Sequence, residues 1–186
     1  MTETVWVSRA LGDPTLWRHS FWSEISAWPE EEMIEFWRAY SFALWRPTEK
    51  FPKFFRSEQG IIKSLPDFFF AGGVLLVSMR AAEVLNKFDL GMGGLVQAQI
   101  MQPDGKTSFS DDFFCLNFGC VKDAFIPELT QGARHVGDLG LDYWQLSSEM
   151  KDGQVAVSSD ALKGCDLWSN SKVNFSFFVS KYCILL

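Results

Sequence analysis

Histidine is the side chain most used for acid–base chemistry near neutral pH and for metal binding. This 186-residue chain has two, His19 and His135. They stand far apart, and no Gly-x-Ser-x-Gly pattern supplies a nucleophile for either. One enzymatic option survives, a small hydrolase using His135 or His19. Cysteine is almost as sparse. Cys115, Cys120, Cys165 and Cys183 form no Cys-x-x-Cys, and no second pair stands at zinc-ligand spacing. Each sits among apolar residues. The prediction is free buried thiols, which suit a reducing cytosol, with no metal and no other cofactor. Met1 to Val5 carry no basic region followed by an apolar run, so no secretory signal is read and a cytoplasmic location is expected. The longest apolar stretch of note, residues 68–79, holds two glycines and is too short to span a bilayer.

Basic residues are also outnumbered. Seventeen Lys and Arg face 23 Asp and Glu, giving a formal charge of −6. Nucleic acid and anionic membranes draw proteins through Lys and Arg, so neither is expected as a partner. A basic protein is the partner such a surface attracts. What the chain does have is aromatic mass: 18 Phe and 8 Trp, within a 47% apolar composition. That is enough to build a substantial aromatic core.

Along the chain, Val5-Trp6-Val7 suits a short strand, and Asp13-Pro14 a turn. Residues 16–28 are aromatic and irregular; of Trp17, Phe21, Trp22 and Trp28, core burial is the expectation and interface anchoring the alternative. Pro29 followed by Glu30, Glu31 and Glu32 reads as a helix start, with carboxylates at the positive end of the helix dipole. Met33, Trp37, Tyr40 and Leu44 mark its apolar face, and Arg46-Pro47 its end. Residues 47–66 read as a long surface excursion.

The middle is more regular. Phe68-Phe69-Phe70 and Val74 to Val77 are buried-strand material broken by Gly72-Gly73. Ser78 stands at an N-cap. Ala81, Val84, Leu85 and Phe88 follow at helical spacing, and Gly91 is placed to end that helix. Val96 to Ile100 alternate apolar and polar, as a half-buried strand does. Residues 103–106 form a turn and 113–118 the return strand. Residues 132–140 read as loop, 155–157 as a short strand after an Asp152-Gly153 turn, and 175–179 as a strand. Ser180 then resembles a second cap before a stunted helix. The whole predicts a single α+β domain over 1–186, with a mixed or antiparallel sheet, a few packed helices and an aromatic-rich core. Residues 1–65 form a helical and irregular part, and 66–186 the α+β part.

Chemistry-bearing clusters are few. Gly91-Met92-Gly93-Gly94 follows a helix rather than opening one, so it reads as a helix end and not a phosphate loop. The carboxylates Glu30, Glu31 and Glu32, Asp111 and Asp112, and Asp138 with Asp142 lack calcium-loop spacing. Charge and exposure make these seven the candidate contacts for a basic partner.

An ordered series of motifs adds a resemblance. It comprises residues 66–73 (Pro-Asp-Phe-Phe-Phe-Ala-Gly-Gly), Leu76-Val77-Ser78 with Ala81-Ala82-Glu83-Val84-Leu85, Phe88-Asp89-Leu90-Gly91 and Asp104-Gly105-Lys106. It continues with residues 114–119, Lys122-Asp123-Ala124-Phe125, residues 164–168 and Phe177-Phe178-Val179-Ser180. Together these resemble the bacterial polymorphic-toxin immunity proteins of the imm-eleven type, formerly a domain of unknown function. Such proteins continue through a longer final helix, whereas this sequence stops at Leu186. The resemblance implies a non-catalytic cytosolic protein. It would bind a cognate toxin domain one to one and block its active site or substrate groove. The toxin would be a nuclease-type effector delivered by a type VI secretion system. An adaptor in a secretion or signalling assembly is the non-toxin alternative.

Overall fold

A computed structural model describes residues 5–8, 14–137, 142–147, 150–151, 153–173 and 177–179. In chain order the elements are β1 (Trp6–Ser8), β2 (Phe21–Ser23), α1 (Glu30–Ser41), β3 (Phe54–Ser57), β4 (Phe68–Ala71), β5 (Val74–Ser78) and α2 (Met79–Leu85). They continue with β6 (Gly94–Met101), β7 (Phe113–Asn117), β8 (Arg134–Val136), β9 (Tyr143–Gln145), β10 (Leu167–Trp168) and β11 (Phe177–Val179). The fold is α+β. A six-stranded mixed sheet runs in the order β2-β3-β6-β7-β5-β4, a three-stranded sheet in the order β1-β11-β10, and β8-β9 is a hairpin.

The hairpin of β4 and β5 follows directly from sequence. Gly72 and Gly73 both take positive φ, 51° and 85°, as a two-residue turn with right-handed strand twist requires. Phe69 pairs with Leu76, Leu76 with Cys115, and Cys115 with Val96. The period of two puts these on one face with Phe21, Phe55, Ala98, Ile100 and Phe113, and every one is buried. The opposite face is buried at Phe70, Leu75, Val77 and Leu116, but exposed at Arg56, Gln97 and Gln99. So β5 is apolar and buried from Val74 to Val77, while β6 alternates.

The sheet coils until its two ends approach. Phe21 of β2 lies against Phe69 of β4, with ring centroids 5.8 Å apart. Trp17, just before β2, stacks on Phe70 at 4.0 Å. Helix α1 packs on this core through Phe36 and Tyr40. Phe36 meets Phe51 edge-on at 5.6 Å, and the Tyr40 hydroxyl accepts from the Leu75 N–H at 2.9 Å. A smaller second core gathers Ala124, Phe125, Ala161, Trp168, Val173 and Phe178.

Several expectations change. The 47–66 stretch is not a surface excursion: it contains β3, and Phe51 and Phe55 are buried. Two aromatics within a charged run carry it into the core, and charges at Lys50, Lys53 and Arg56 hide that. Likewise 16–28 contains β2, paired to β3. Helix α1 stops at Ser41, before Arg46-Pro47. Ala43 takes φ 50°, and the Leu44 N–H returns to the Ala39 carbonyl at 3.0 Å while Ala43 N–H reaches Tyr40 at 2.9 Å. This is a Schellman ending with alanine where glycine is usual. Helix α2 stops at Leu85, not at Gly91, although Ser78 caps it as predicted, accepting from the Ala81 N–H at 3.3 Å. Residues 132–140 include β8, and 155–157 reduce to a single bridge between Val157 and Phe125. The Ser180 cap and the following helix lie outside the described residues.

Cysteine is the largest correction. Cys120 and Cys165 form a disulfide, 45 residues apart in sequence. Spacing could not show this pair, because the fold brings the exit of β7 beside the approach to β10. Cys115 is free and buried, as predicted. Cys183 lies outside the described residues.

Candidate functional site

Strand β6 forms the floor of a broad cleft. Its register with its neighbours is uneven. Strand β7 pairs with residues 94–98, from Gly94↔Asn117 to Ala98↔Phe113. On the other side, β3 pairs in parallel only with Gln99, Ile100 and Met101. Before Phe54 the chain leaves the sheet, because Phe51 turns into the core beside Phe36 and the Pro52 carbonyl accepts from the Cys115 thiol at 3.5 Å. A gap of about 800 Å³ opens where β3 would have continued. Its walls are β6 itself, Thr48 and Lys53 on one side, and Ser108, Phe109, Asp111 and Asp112 on the other.

The hydrogen-bond phase of β6 follows from one contact. The Gln99 N–H donates to the Lys53 carbonyl at 2.8 Å, so Gln99 points toward β3. Residues two apart along a strand point their backbone groups the same way. The N–H and C=O of Leu95 and Gln97 are therefore turned into the gap, away from β7. Among the described residues, no strand pairs with them there.

A smaller cleft of about 370 Å³ adjoins, lined by Glu24, Trp28, Glu32, Glu49, Lys50, Phe51 and Lys53. Lys53 belongs to both clefts. Two acidic clusters far apart in sequence thus border neighbouring concavities. Glu30, Glu31 and Glu32 occupy the exposed first turn of α1, with Glu32 lining the small cleft and paired to Lys50 at 3.8 Å. Asp111 and Asp112 are exposed on the wall of the large one. Asp142 goes elsewhere: it meets His135 Nε2 at 2.6 Å beside the β8–β9 hairpin. Asp138 lies outside the described residues. His19 contacts Gln59 at 3.4 Å, remote from Asp142 and His135 in partners.

Sequence reading missed Lys53, Thr48, Glu24 and Glu49 as site residues. Glu24 accepts from the Lys53 N–H, which fixes the turn between the two clefts. The alternation from Val96 to Ile100 foretold exposed Gln97 and Gln99, but not the free edge they occupy.

Shifted titrations lie mostly behind the cleft. Burial pushes the Tyr40 hydroxyl and the Cys115 thiol up, with the Leu75 N–H opposing the shift at Tyr40 and Glu24 adding to it at Cys115. Both therefore stay neutral. Asp104, in the 103–106 turn, is held below its usual value by the Thr107 hydroxyl and by the N–H groups of Thr107 and Lys106. The glycine run also has a structural use: a Cβ on Gly119 would overlap the Gly93 backbone, so those two chain segments touch directly. Among the described residues, no group of three or more His, Cys, Asp or Glu side chains is placed to hold a metal. None of the described helices is long and apolar enough to cross a membrane.

No family model matches the chain, and no curated protein matches it either.

Proposed function

We propose that this chain is a non-catalytic protein inhibitor of the immunity type, which binds a basic toxin domain one to one and blocks its active site or substrate groove. The observation that carries the reading is the acid-bordered cleft. Glu32, Asp111 and Asp112 gather around two adjoining concavities, and the chain carries a charge of −6. Carboxylates so placed attract and orient Lys and Arg on a partner, raising the association rate. A nuclease-type effector, whose own groove must bind phosphate, has the complementary charge. The resemblance from Pro66 to Ser180 points to the same role.

The test is co-expression with the toxic protein encoded beside this chain. Growth should be rescued, and the two should elute as a 1:1 heterodimer. A harmless neighbour, or two proteins that never associate, would defeat the reading.

A second reading, hydrolysis using His135, draws on the 2.6 Å contact between His135 and Asp142. A carboxylate so placed orients an imidazole for proton transfer. Replacing both histidines by alanine separates the two: the inhibitor keeps rescuing growth, whereas a hydrolase loses function. An adaptor that binds a non-toxic partner would give a stable complex with no growth phenotype.

A further inference from the structure

We propose that residues 94–98 of β6 are a docking edge, to which an extended segment of a basic protein partner adds as a strand. The inference rests on the protein-binding reading above and supplies its contact mode.

Three observations converge on it. The first is the missing neighbour: β3 covers β6 only from Gln99 to Met101, leaving the half from Gly94 to Ala98 paired on the β7 side alone. The second is the direction of the backbone groups. With Gln99 bonded to Lys53, the N–H and C=O of Leu95 and Gln97 are aimed into the gap. Unpaired strand edges of this kind are templates for an added strand, and main-chain hydrogen bonds supply much of the affinity. The third is room and charge. The gap measures about 800 Å³, and Thr48, Lys53, Ser108, Asp111 and Asp112 put polar groups on its walls beside Phe109. On one wall Asp111 and Asp112 are exposed, with no cation paired to either among the described residues. An incoming strand that projects Lys or Arg over Gln97 and Gln99 reaches that wall. Lys53 stands on the opposite wall and disfavours a basic side chain there, so the partner's charges are asymmetric about its strand axis.

A second copy of this chain is the other occupant of an open edge. Its charge of −6 opposes self-pairing along an acidic cleft. A basic segment of another protein is the occupant that the charge favours.

The test uses a synthetic ten-residue peptide of alternating Thr and Val with two Lys on the Thr side. Two controls accompany it: the same peptide N-methylated at alternate amides, and the same peptide with Glu in place of Lys. Backbone amide spectra of the full chain are followed during titration. The parent peptide should shift the Leu95 and Gln97 amides and those of Asp111 and Asp112. N-methylation and the Glu exchange should each weaken binding about tenfold or more. Gln97→Pro removes an N–H that β7 does not use, so the amide spectrum should remain that of a folded chain while peptide binding is lost. Unmoved Leu95 and Gln97 amides at millimolar peptide would overturn the proposal. So would equal binding of the N-methylated peptide, or a stable homodimer of the chain that the peptide dissociates. Peptide binding without growth rescue would remove the toxin reading and keep the edge. Rescue with no contact at Leu95 and Gln97 would do the reverse.

Discussion

Phe21 and Phe69 hold their ring centroids 5.8 Å apart, although their strands lie at opposite ends of the six-stranded sheet. Phe69 also meets Phe113 edge-on at 5.5 Å. The contact holds the two ends of the curled sheet together over its aromatic core. Phe69→Ala should lower unfolding free energy by ~3–5 kcal/mol, the range for an emptied phenylalanine site. Urea unfolding followed by Trp fluorescence measures it; a loss below about 1 kcal/mol would mean the two ends are not held together by this ring.

The Cys120–Cys165 bond closes a loop of 45 residues. Chain-entropy reasoning assigns such a loop ~4 kcal/mol of stability. Reduction, or Cys120→Ser with Cys165→Ser, should lower stability by up to that amount. In a cytosol held reducing the pair stands as two thiols, and the contribution is absent. Alkylation and mass measurement of the native, non-reduced protein should show both sulfurs blocked; labelling of both would contradict the pairing.

Cys115 and Tyr40 make stability fall at alkaline pH. Burial raises both in the folded chain, so their contribution is complete below the unfolded values of about 8.5 and 10. Above those values the unfolded chain ionises while the folded chain does not, and stability declines. Unfolding curves at pH 7 and pH 10 should diverge less for Cys115→Ala than for the parent, both in a Cys183→Ser background. Equal divergence would show that the thiol is not the group responsible.

Gly119 and Gly93 pass backbone to backbone. A methyl on Gly119 has no flexible side chain to displace. Gly119→Ala should destabilise toward the upper end of the ~1–3 kcal/mol typical of overpacking. Thermal unfolding tests this, and an unchanged midpoint would refute the close approach.

Much of this fold is legible where local chemistry and tertiary packing agree. The Gly72-Gly73 turn, the Ser78 cap and the alternation of Val96 to Ile100 each encode their own structure. Elements whose support is distant were not legible. Strand β3 is four residues set among charges, made a strand by β2 and β6 rather than by its own pattern. The end of α1 rests on Ala43 in a conformation that glycine usually marks. At the site, exposed carboxylates could be picked out by charge, but Asp142 lies apart from Glu32 and Asp111. The free edge of β6 exists only because Phe51 leads β3's approach into the core, a relation between residues that no spacing expresses.

Hydrogen exchange on a complex with the basic toxin domain proposed as partner tests the central claim most directly. Binding at the cleft predicts new protection over residues 94–99 and 108–112, with the Leu95 and Gln97 amides among the most slowed. The charge reversals Asp111→Lys and Asp112→Lys should weaken both the protection and the complex. Protection confined to the β8–β9 hairpin, with 94–99 exchanging as in the free chain, would contradict the account.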